Sequence, residues 1–346
     1  MCTNCTNERN QNVSSWGKAV NKVLLSESID EAGLNILEGR AEVIISPDPS
    51  EESVGRLLKD ADALIVRTAT QITREMIEGA SQLKVISRTG GGLNNVDVEA
   101  ATDCNVVVCG VKGPQDLFVA EHAVFMMGAL AKAFLYLDGE TRRGNFKSRF
   151  EYRPVGLAEK RVGLIGLGRI GRIVAEICMR GFRMQVCAYD PFVDAKAFEG
   201  TGIVLEKEMA EVIRTADFLS LHVPVTEETR GLMGKGEFAL MKSTAFLINT
   251  SRGEILQEDA LVEALKKGRI AGAGLDVFEK EPPDVQNPLF QMENVIATPH
   301  TAALTKDVVI KLAEGAAENA LNILEGKNPT YSANWDIVRS NLGKKP

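Results

Sequence analysis

The chain has 346 residues, 45% of them hydrophobic and 25% charged, which is enough for about two domains with cores of their own. Its 40 basic residues are outnumbered by 47 acidic ones, for a formal net charge of −7, and this balance argues against a nucleic-acid binder. No segment reaches the ~18 uncharged apolar residues that a membrane-spanning helix needs. We therefore expect neither a nucleic acid nor a membrane as a partner.

The six cysteines divide into two groups. Cys2 and Cys5 form a Cys-x-x-Cys pair in a polar N-terminal stretch with no second pair, so we interpret residues 1–17 as a disordered tail and predict no metal site. The other four fall in apolar runs and resemble small buried hydrophobic residues: Cys104, Cys109, Cys178 and Cys187. With no secretory signal recognisable at the N-terminus, we expect a reducing, cytoplasmic compartment.

From residue 19 onward, short apolar runs alternate with charged, helix-compatible stretches. The first series predicts strands at residues 23–25, 43–45, 63–66, 84–86 and 106–109. Short apolar strands that alternate with amphipathic helices are typical of a parallel sheet covered on both faces. The sequence therefore predicts one α/β domain before residue 110.

A second α/β series follows the break at Gly113-Pro114. One long apolar helix is predicted over residues 116–141, and a polar loop over residues 142–159. The strands that follow are predicted at residues 161–165, 185–189, 218–221, 245–249, 272–277 and 295–297, and a last amphipathic helix at residues 305–325. This series indicates a second parallel sheet.

A glycine-rich turn stands between the first strand of this second series and the helix after it. Residues 166–171 read Gly-Leu-Gly-Arg-Ile-Gly, which matches G-x-G-x-x-G in its strand–turn–helix context. Such a turn lets the backbone and the helix N-terminus approach a pyrophosphate. Asp190, 19 residues beyond Gly171, is placed to accept hydrogen bonds from ribose hydroxyls and to repel a 2′-phosphate. The pattern predicts NAD rather than NADP.

Only three histidines are available as proton carriers. We interpret His122, inside the long apolar helix, as a core histidine, while His222 follows a strand and borders the cofactor crevice. His300 comes directly after the last strand, at the carboxyl edge where such sheets bind ligands. Glu281 is placed to orient it, and Arg252 follows another strand in a turn of small residues. We therefore expect the chemistry at His300.

Several motifs in the order found here resemble the D-isomer-specific 2-hydroxyacid dehydrogenase family, over about residues 20–325. The resemblance rests on residues 166–171, Asp190, residues 248–253, residues 275–282 and residues 298–300. Residues 64–70 and 92–97 bring the chain closest to the D-3-phosphoglycerate dehydrogenase branch.

The resemblance implies an α/β fold with two doubly wound parallel-sheet domains. A Rossmann NAD domain, residues 113–301, would be inserted into a discontinuous flavodoxin-like substrate domain, residues 18–112 plus 302–330. It further implies a homodimer formed through the long helix of the NAD domain. We expect no regulatory C-terminal domain.

The resemblance also implies roles for single residues. Arg252 would bind the substrate carboxylate, His300 would be the acid–base, and Glu281 would hold its imidazole. Asp276 would hold the nicotinamide carboxamide, and the expected cofactor residues are Gly166, Gly168, Arg169, Ile170, Gly171, Asp190, Val223, Thr250, Ser251 and Asp276. The expected substrate residues are Arg67, Arg88, Gly90 and Gly91, with Arg149 or Arg153 as candidates from a partner subunit.

The implied function is hydride transfer between NAD(H) and a small anionic 2-hydroxy or 2-oxo acid. D-3-phosphoglycerate and 3-phosphohydroxypyruvate, as in serine biosynthesis, fit Arg67 and Arg88. Hydroxypyruvate, glyoxylate or a sulfolactate-type acid stay open, because Gly91 and Ala302 stand where relatives commonly have Thr and Gly. A corepressor-like, NAD-sensing binding protein of the same fold is a further alternative from another functional class.

Overall fold

The computed structural model describes residues 20–113 and 115–343. The predicted tail, with Cys2 and Cys5, lies outside the described residues. The described residues divide into two compact units, the first made of residues 20–113 and 306–343 and the second of residues 115–305. Each unit is built around its own parallel sheet.

The first unit contains a five-stranded sheet in which every paired strand is parallel, in the order β2-β1-β3-β4-β5. This is the flavodoxin-like order. Its strands are β1 (Lys22–Leu25), β2 (Glu42–Ile45), β3 (Ala63–Val66), β4 (Val85–Arg88) and β5 (Val107–Cys109). Its helices are α1 (Glu31–Leu37), α2 (Glu51–Leu58), α3 (Arg74–Glu78) and α4 (Val98–Asp103), and the chain returns to this unit with α12 (Lys306–Leu324) and α13 (Trp335–Gly343).

Two apolar cores lie on the two faces of this sheet. Helices α2, α3 and α4 pack on one face, and α1 and α12 pack on the other. All four residues of the central strand Ala63–Val66 are buried, as expected for a strand covered on both faces. The last long helix is therefore part of the core of the N-terminal unit.

The second unit contains a seven-stranded parallel sheet in the order β8-β7-β6-β9-β10-β11-β12. Its strands are β6 (Arg161–Ile165), β7 (Gln185–Tyr189), β8 (Ile203–Leu205), β9 (Phe218–Leu221), β10 (Phe246–Asn249), β11 (Gly272–Leu275) and β12 (Val295–Ala297). Its helices are α5 (Asp116–Ala131), α6 (Phe134–Arg142), α7 (Ser148–Glu151), α8 (Arg169–Phe182), α9 (Met209–Thr215), α10 (Lys235–Leu240) and α11 (Glu258–Lys266).

The sequence of strands in this second sheet reverses direction between β6 and β9. Helices α5 and α8 cover one face, and α9, α10 and α11 cover the other. In doubly wound sheets the ligand crevice lies at such a reversal, beyond the carboxyl ends of the strands. The turns that follow β6, β9, β10, β11 and β12 therefore build the candidate site. The predicted fold class, two parallel α/β sheets, is confirmed.

The prediction of a single helix over residues 116–141 is wrong. The structure has two helices, Asp116–Ala131 and Phe134–Arg142, bent by 54° at a break where Ala133 adopts a left-handed conformation (φ 50°). The first helix is buried in the core along much of its length, whereas the second has no buried residue. The break lies where the helix leaves the core, and the apolar residues of the sequence do not mark this position.

Three short elements were also absent from the prediction: the strand Ile203–Leu205 and the helices Ser148–Glu151 and Trp335–Gly343. Each has at most one buried residue, so its apolar periodicity is weak.

Within residues 20–113 and 115–343, no single helix has the length and apolar character needed to cross a membrane. The bent pair Asp116–Ala131 and Phe134–Arg142 together reaches that length and apolar composition, and these two properties are its only likeness to a membrane span.

Candidate active site

The three glycines of the turn after β6 differ in the space around them. Two lie so close to neighbouring backbone that no side chain fits, and the third faces open space. A Cβ at Gly166, where φ is +95°, would lie 2.7 Å from the carbonyl oxygen of His222 and 2.9 Å from a methyl carbon of Val223. A Cβ at Gly171 would lie 2.4 Å from the carbonyl oxygen of Gly166. A Cβ at Gly168 would meet nothing within 4 Å. Gly168 thus leaves room for a ligand at the N-terminus of the helix Arg169–Phe182.

The other predicted cofactor residues surround this turn. Asp190 Oδ2 accepts a hydrogen bond from the backbone N–H of Leu167 (2.8 Å), which ties the end of β7 to the glycine turn. Ile170 packs against the core, and the Arg169 guanidinium forms an ion pair with Asp116. The first turn of the helix lacks a side-chain cap at Gly168, so its N–H groups and positive dipole end are available to an anion.

Thr250 is a second feature that fits a nucleotide site. Its Oγ1 is buried, and no hydrogen-bond partner for this atom is found in residues 20–113 and 115–343. A buried hydroxyl without a partner costs about 1–3 kcal/mol, so such atoms commonly belong to a binding site. Together with the space at Gly168, this hydroxyl shows that the residues present fit a bound dinucleotide.

Replacing Gly168 with Ala tests the open side of the turn. The φ of −69° at Gly168 is accessible to Ala, so we expect the melting temperature to stay unchanged or to rise slightly. A methyl group in the ligand's space should raise the Kd for NADH by about tenfold to hundredfold, the cost of overpacking. Fluorescence titration with NADH and thermal unfolding measure the two effects.

Gly171→Ala is the matched contrast, because its Cβ would strike backbone rather than ligand. We expect this variant to lose thermal stability. Equal NADH affinity in the wild type and Gly168→Ala would contradict the placement of the ligand.

Arg252 is held by the residue that ends β10. The Asn249 side chain is fully buried; its Nδ2 donates to the carbonyl oxygen of Arg252 (2.9 Å), and its Oδ1 accepts from the N–H and the hydroxyl of Ser251 (3.1 and 2.8 Å). An Asn that bonds the backbone just beyond it forms a local turn of defined shape. The turn therefore fixes the backbone position of Arg252.

Gly253 brings this turn against the segment that follows β11. A Cβ at position 253 would lie 1.9 Å from the carbonyl carbon and the oxygen of Phe278, so no other residue fits without movement of the backbone. Phe278 is itself buried and packs edge-on against Phe290, with ring centroids 5.4 Å apart. The contact places Arg252 and Glu281 on adjoining segments.

Glu281 and His300 form the central pair of the site. Glu281 Oε2 lies 2.7 Å from His300 Nδ1, and Glu281 Oε1 accepts from the N–H of Phe278 at 3.1 Å. A carboxylate only accepts hydrogen bonds, so Nδ1 of His300 carries a proton and Nε2 is left to exchange a proton with a ligand. Both side chains are partly exposed, as a site open to a substrate requires.

The charge of Glu281 depends on its surroundings. Burial raises the pKa of this carboxyl group, but the hydrogen bond and positive charge of His300, the N–H of Phe278 and the charge of Arg252 outweigh burial, and the net pKa lies below its ordinary value. Glu281 is therefore ionised at neutral pH.

Glu281→Gln keeps the shape of the side chain and removes its charge. Reduction of a 2-oxo acid uses protonated His300, so we expect kcat/KM for reduction near neutral pH to fall by roughly 10- to 100-fold. Steady-state rates of 2-oxo acid reduction near neutral pH measure the loss. Glu279→Gln, an exposed neighbour, is the control, and a Glu281→Gln variant as active as this control would contradict the assignment.

Asp276, His222 and His122 have surroundings that the sequence did not indicate. Asp276 is 1% exposed, and its carboxylate accepts from the Thr298 hydroxyl and from the N–H groups of Thr301 and Ala302. This carboxylate therefore binds the loop that carries His300, and its contact with nicotinamide stays a prediction. Burial lowers the pKa of His222 to about 4, so this ring is neutral at physiological pH.

His122 is a half-buried histidine with a hydrogen-bond partner of its own. Its side chain is 25% exposed, and Nε2 lies 3.1 Å from Thr298 Oγ1 and 3.8 Å from the Asp276 carboxylate. The sequence around His122 is apolar and gives no sign of this contact, because its partner Thr298 is 176 positions away in the chain.

The predicted substrate arginines lie in the first unit, at the ends of β3 and β4. Asn95, a buried residue, accepts a hydrogen bond from Arg88 Nε (2.9 Å) and donates through Nδ2 to the carbonyl oxygens of Arg67 (2.7 Å) and Thr70 (2.8 Å). A Cβ at Gly90 would lie 2.4 Å from Arg88 Nη1. One amide side chain and one glycine thus orient the Arg88 guanidinium. Gly91, next in the chain, is half-buried.

Comparison with known proteins decides the family. Residues 124–302, just over half of the chain, match the model of the D-isomer specific 2-hydroxyacid dehydrogenase, NAD binding domain. The chain belongs to the D-isomer specific 2-hydroxyacid dehydrogenase family. The resemblance drawn from the motifs of the sequence is confirmed.

Two curated relatives align with most of this chain. It is 38% identical over 324 residues to D-3-phosphoglycerate dehydrogenase of Methanocaldococcus jannaschii, with 93% of this chain aligned to 61% of that protein. It is 34% identical over 328 residues to glyoxylate reductase of Thermococcus litoralis, with 92% of this chain aligned to 98% of that protein. The chain thus spans about three fifths of the first relative and nearly all of the second.

The solved structures show the same architecture. A crystal structure of a Thermus thermophilus protein superposes with a TM-score of 0.84 at 30% identity, and the match covers 90% of this chain and 99% of that one. This likeness agrees with the two parallel sheets described above.

The sequence indicated the candidate reacting groups, but it gave no role to the residues that hold them in place. Asn249 and Asn95 were quoted within motifs only, and Thr298 only as part of the motif around His300. A buried-strand end followed by Asn-Thr-Ser is a recognisable turn signal, so Asn249 could have been found. The contacts of Asn95 and Thr298 join distant segments and leave no local pattern.

Proposed function

We propose that this protein is an NAD-dependent D-2-hydroxyacid dehydrogenase that transfers hydride between NAD(H) and a small anionic 2-hydroxy or 2-oxo acid. The observation that carries the proposal is the Glu281–His300 pair, 2.7 Å apart, beside the turn that presents Arg252. An acid–base group with its orienting carboxylate and a planar cation are what reduction of a 2-oxo acid requires.

Each residue has one task in the proposed reaction. Bound NADH supplies the hydride to the carbon of the 2-oxo group. Arg252 binds the substrate carboxylate through its planar guanidinium fork. His300 gives the proton on Nε2 to the carbonyl oxygen and takes it back in the oxidative direction, while Glu281 stabilises the protonated ring. The binding-only, corepressor-like alternative needs none of this proton transfer.

We assign NAD rather than NADP because Asp190 ends β7 beside the glycine turn. Its charge would face a 2′-phosphate, and juxtaposed like charges cost several kcal/mol, so kcat/KM with NADH should exceed that with NADPH by roughly two orders of magnitude. Asp190→Ala is expected to reduce this ratio by about tenfold or more, chiefly by improving NADPH. Initial rates with each cofactor measure the ratio. A wild type that uses NADPH as well as NADH would contradict the assignment.

We propose D-3-phosphoglycerate and 3-phosphohydroxypyruvate as the substrate pair. Support comes from the 38% identity to a D-3-phosphoglycerate dehydrogenase and from the Asn95-linked Arg67 and Arg88, two cations for an anionic side chain. Glyoxylate or hydroxypyruvate is the second candidate, supported by the 34% identity over 328 residues to a glyoxylate reductase.

A steady-state NADH-oxidation panel separates the candidates. It uses 3-phosphohydroxypyruvate, hydroxypyruvate, glyoxylate, sulfopyruvate and 2-oxoglutarate under identical conditions, with wild type, Arg88→Gln and His300→Asn. The proposal expects the highest kcat/KM with 3-phosphohydroxypyruvate and a selective loss of that preference in Arg88→Gln. A preference for glyoxylate that Arg88→Gln does not alter would overturn the substrate assignment. Absence of turnover with every acid would overturn the enzymatic proposal.

We also propose a cytoplasmic homodimer formed through the second unit. Its helices α5, α6 and α7 expose several large apolar side chains, among them Phe125 (74% exposed), Phe134 (60%) and Phe150 (68%). An apolar surface of this kind is typical of an interface. Light scattering after size-exclusion chromatography would give twice the 37.5 kDa chain mass. A monomer mass would contradict the proposal.

A further inference from the structure

His122 lies where three segments of the second unit meet. It projects from the helix Asp116–Ala131, and its contacts are Thr298, just after β12, and Asp276, just after β11. The neighbouring residues of the helix are largely apolar and buried. The half-buried imidazole of His122 thus directs its Nε2 atom at the loop that carries His300.

The direction of the hydrogen bonds in this chain follows from the chemistry of its members. Thr298 Oγ1 lies 2.5 Å from Asp276 Oδ1, and a carboxylate can only accept, so the hydroxyl proton points to Asp276. The Thr298 oxygen is then left to accept, and the group 3.1 Å away, His122 Nε2, is its donor. His122 therefore carries a proton on Nε2.

Asp276 in turn holds the loop of His300. Its carboxylate accepts from the N–H groups of Thr301 and Ala302, both at 2.8 Å, and its backbone oxygen accepts from the N–H of His300 at 2.8 Å. His300 has a φ of +53°, the left-handed region that a residue with a side chain adopts only when its surroundings impose it. The hydrogen bonds to Asp276 hold the backbone of His300 in this conformation.

We propose that His122 is a positioning residue of the reaction: its Nε2–H group, through the Thr298 hydroxyl, fixes the Asp276 carboxylate and with it the loop that holds His300 against Glu281. The proposal rests on the proposed function in that it takes His300 as the acid–base. It assigns a role to a histidine that touches neither Glu281 nor Arg252 in the hydrogen bonds and ion pairs of the described residues.

Two matched pairs of variants test the kinetic consequence. His122→Leu and Thr298→Val remove the donor and the relay, whereas His122→Gln and Thr298→Ser retain them. We expect kcat to fall by about tenfold to hundredfold in the first pair, because a displaced reacting group costs that much, and to stay within about threefold of wild type in the second. The Kd for NADH should change by a smaller factor than kcat, since the glycine turn and Asp190 are untouched.

A second readout separates positioning from simple stabilisation. Misplacement of His300 slows the chemical step, so the primary deuterium isotope effect on kcat with 4-deuterated NADH should rise in His122→Leu and Thr298→Val and not in their conservative partners. A lower melting temperature with unchanged kcat and isotope effect would overturn the proposal. So would a loss of NADH affinity as large as the loss of kcat.

Nuclear magnetic resonance tests the inference without any substrate. The chain has only three histidines, so long-range ¹H–¹⁵N spectra give three imidazole patterns, with His122 assigned by its disappearance in His122→Gln. We expect the Nε2–H tautomer for His122 and a shift of the His300 signals in Thr298→Val. The Nδ1–H tautomer, or His300 signals unaffected by Thr298→Val, would overturn the proposal even if no 2-oxo acid were turned over. Failure of the substrate panel alone would instead count against the proposed function.

Discussion

Replacing His300 with Asn is expected to lower turnover by about 10²- to 10⁴-fold in both directions, the usual contribution of a general acid–base. Asn is chosen because it tolerates the left-handed conformation that His300 adopts (φ +53°), so the loop keeps its path and only the imidazole is lost. The proton donor to the 2-oxo oxygen then disappears while the nucleotide site stays intact. Steady-state rates in the oxidative and reductive directions measure the loss.

The NADH affinity of the same variant serves as its internal control. We expect the Kd for NADH to stay within about twofold of wild type, since the glycine turn, Asp190 and Thr250 are untouched. His300→Ala should lose as much activity, with an added loss of stability because Ala pays the left-handed cost of about 1–2 kcal/mol without hydrogen-bonding locally. Turnover within tenfold of wild type in His300→Asn would remove His300 from the mechanism.

Gly253→Ala is expected to abolish most activity through the backbone alone. Its Cβ would lie 1.9 Å from the carbonyl group of Phe278, and neither segment can yield easily, because Asn249 ties one turn and buried Phe278 anchors the other. The two segments must separate, which moves Arg252 away from Glu281. A displacement of about 1 Å at a reacting group costs roughly 100-fold in rate. The free energy of unfolding should fall by about 1–3 kcal/mol, the usual penalty for overpacking.

Activity assays and urea unfolding measure these two losses. Gly236→Ala, a helical glycine whose added Cβ would meet nothing within 4 Å, is the matched control and should retain both activity and stability. A Gly253→Ala protein with wild-type kcat/KM would show that the Arg252 turn and the Glu281 segment are not coupled.

Much of the candidate site could be predicted from local sequence. A strand, a G-x-G-x-x-G turn and a helix occupy adjacent positions, so one continuous stretch specifies the nucleotide turn and the place of Asp190 at the end of the next strand. Residues Arg252, Glu281 and His300 were found in the same way, each directly after a predicted strand or close to its end. Residues that directly follow the strands of a parallel sheet lie together at its carboxyl edge, so their proximity can be expected without knowing how the side chains pack.

The details that the sequence did not indicate depend on surroundings set by distant segments. The helix over residues 116–141 was predicted as continuous because composition does not show that burial ends near Ala133. The hydrogen-bond partner of His122, Thr298, is 176 positions away in the chain. The Asp276 carboxylate binds the loop of His300, and its contact with nicotinamide stays a prediction.

The sequence by itself determined the alternation of strands and helices, the glycine turn, the family and the candidates for the reacting groups, because each depends on residues that are near neighbours in the chain. Only the tertiary structure decided how those groups are held. The 2.7 Å contact of Glu281 with His300, the fit of Gly253 against Phe278 and the hydrogen bonds from His122 to Asp276 join the ends of different strands. Such distances are set by the order and register of the strands in the sheet, which arise from burial of apolar faces across the whole unit and not from any local pattern.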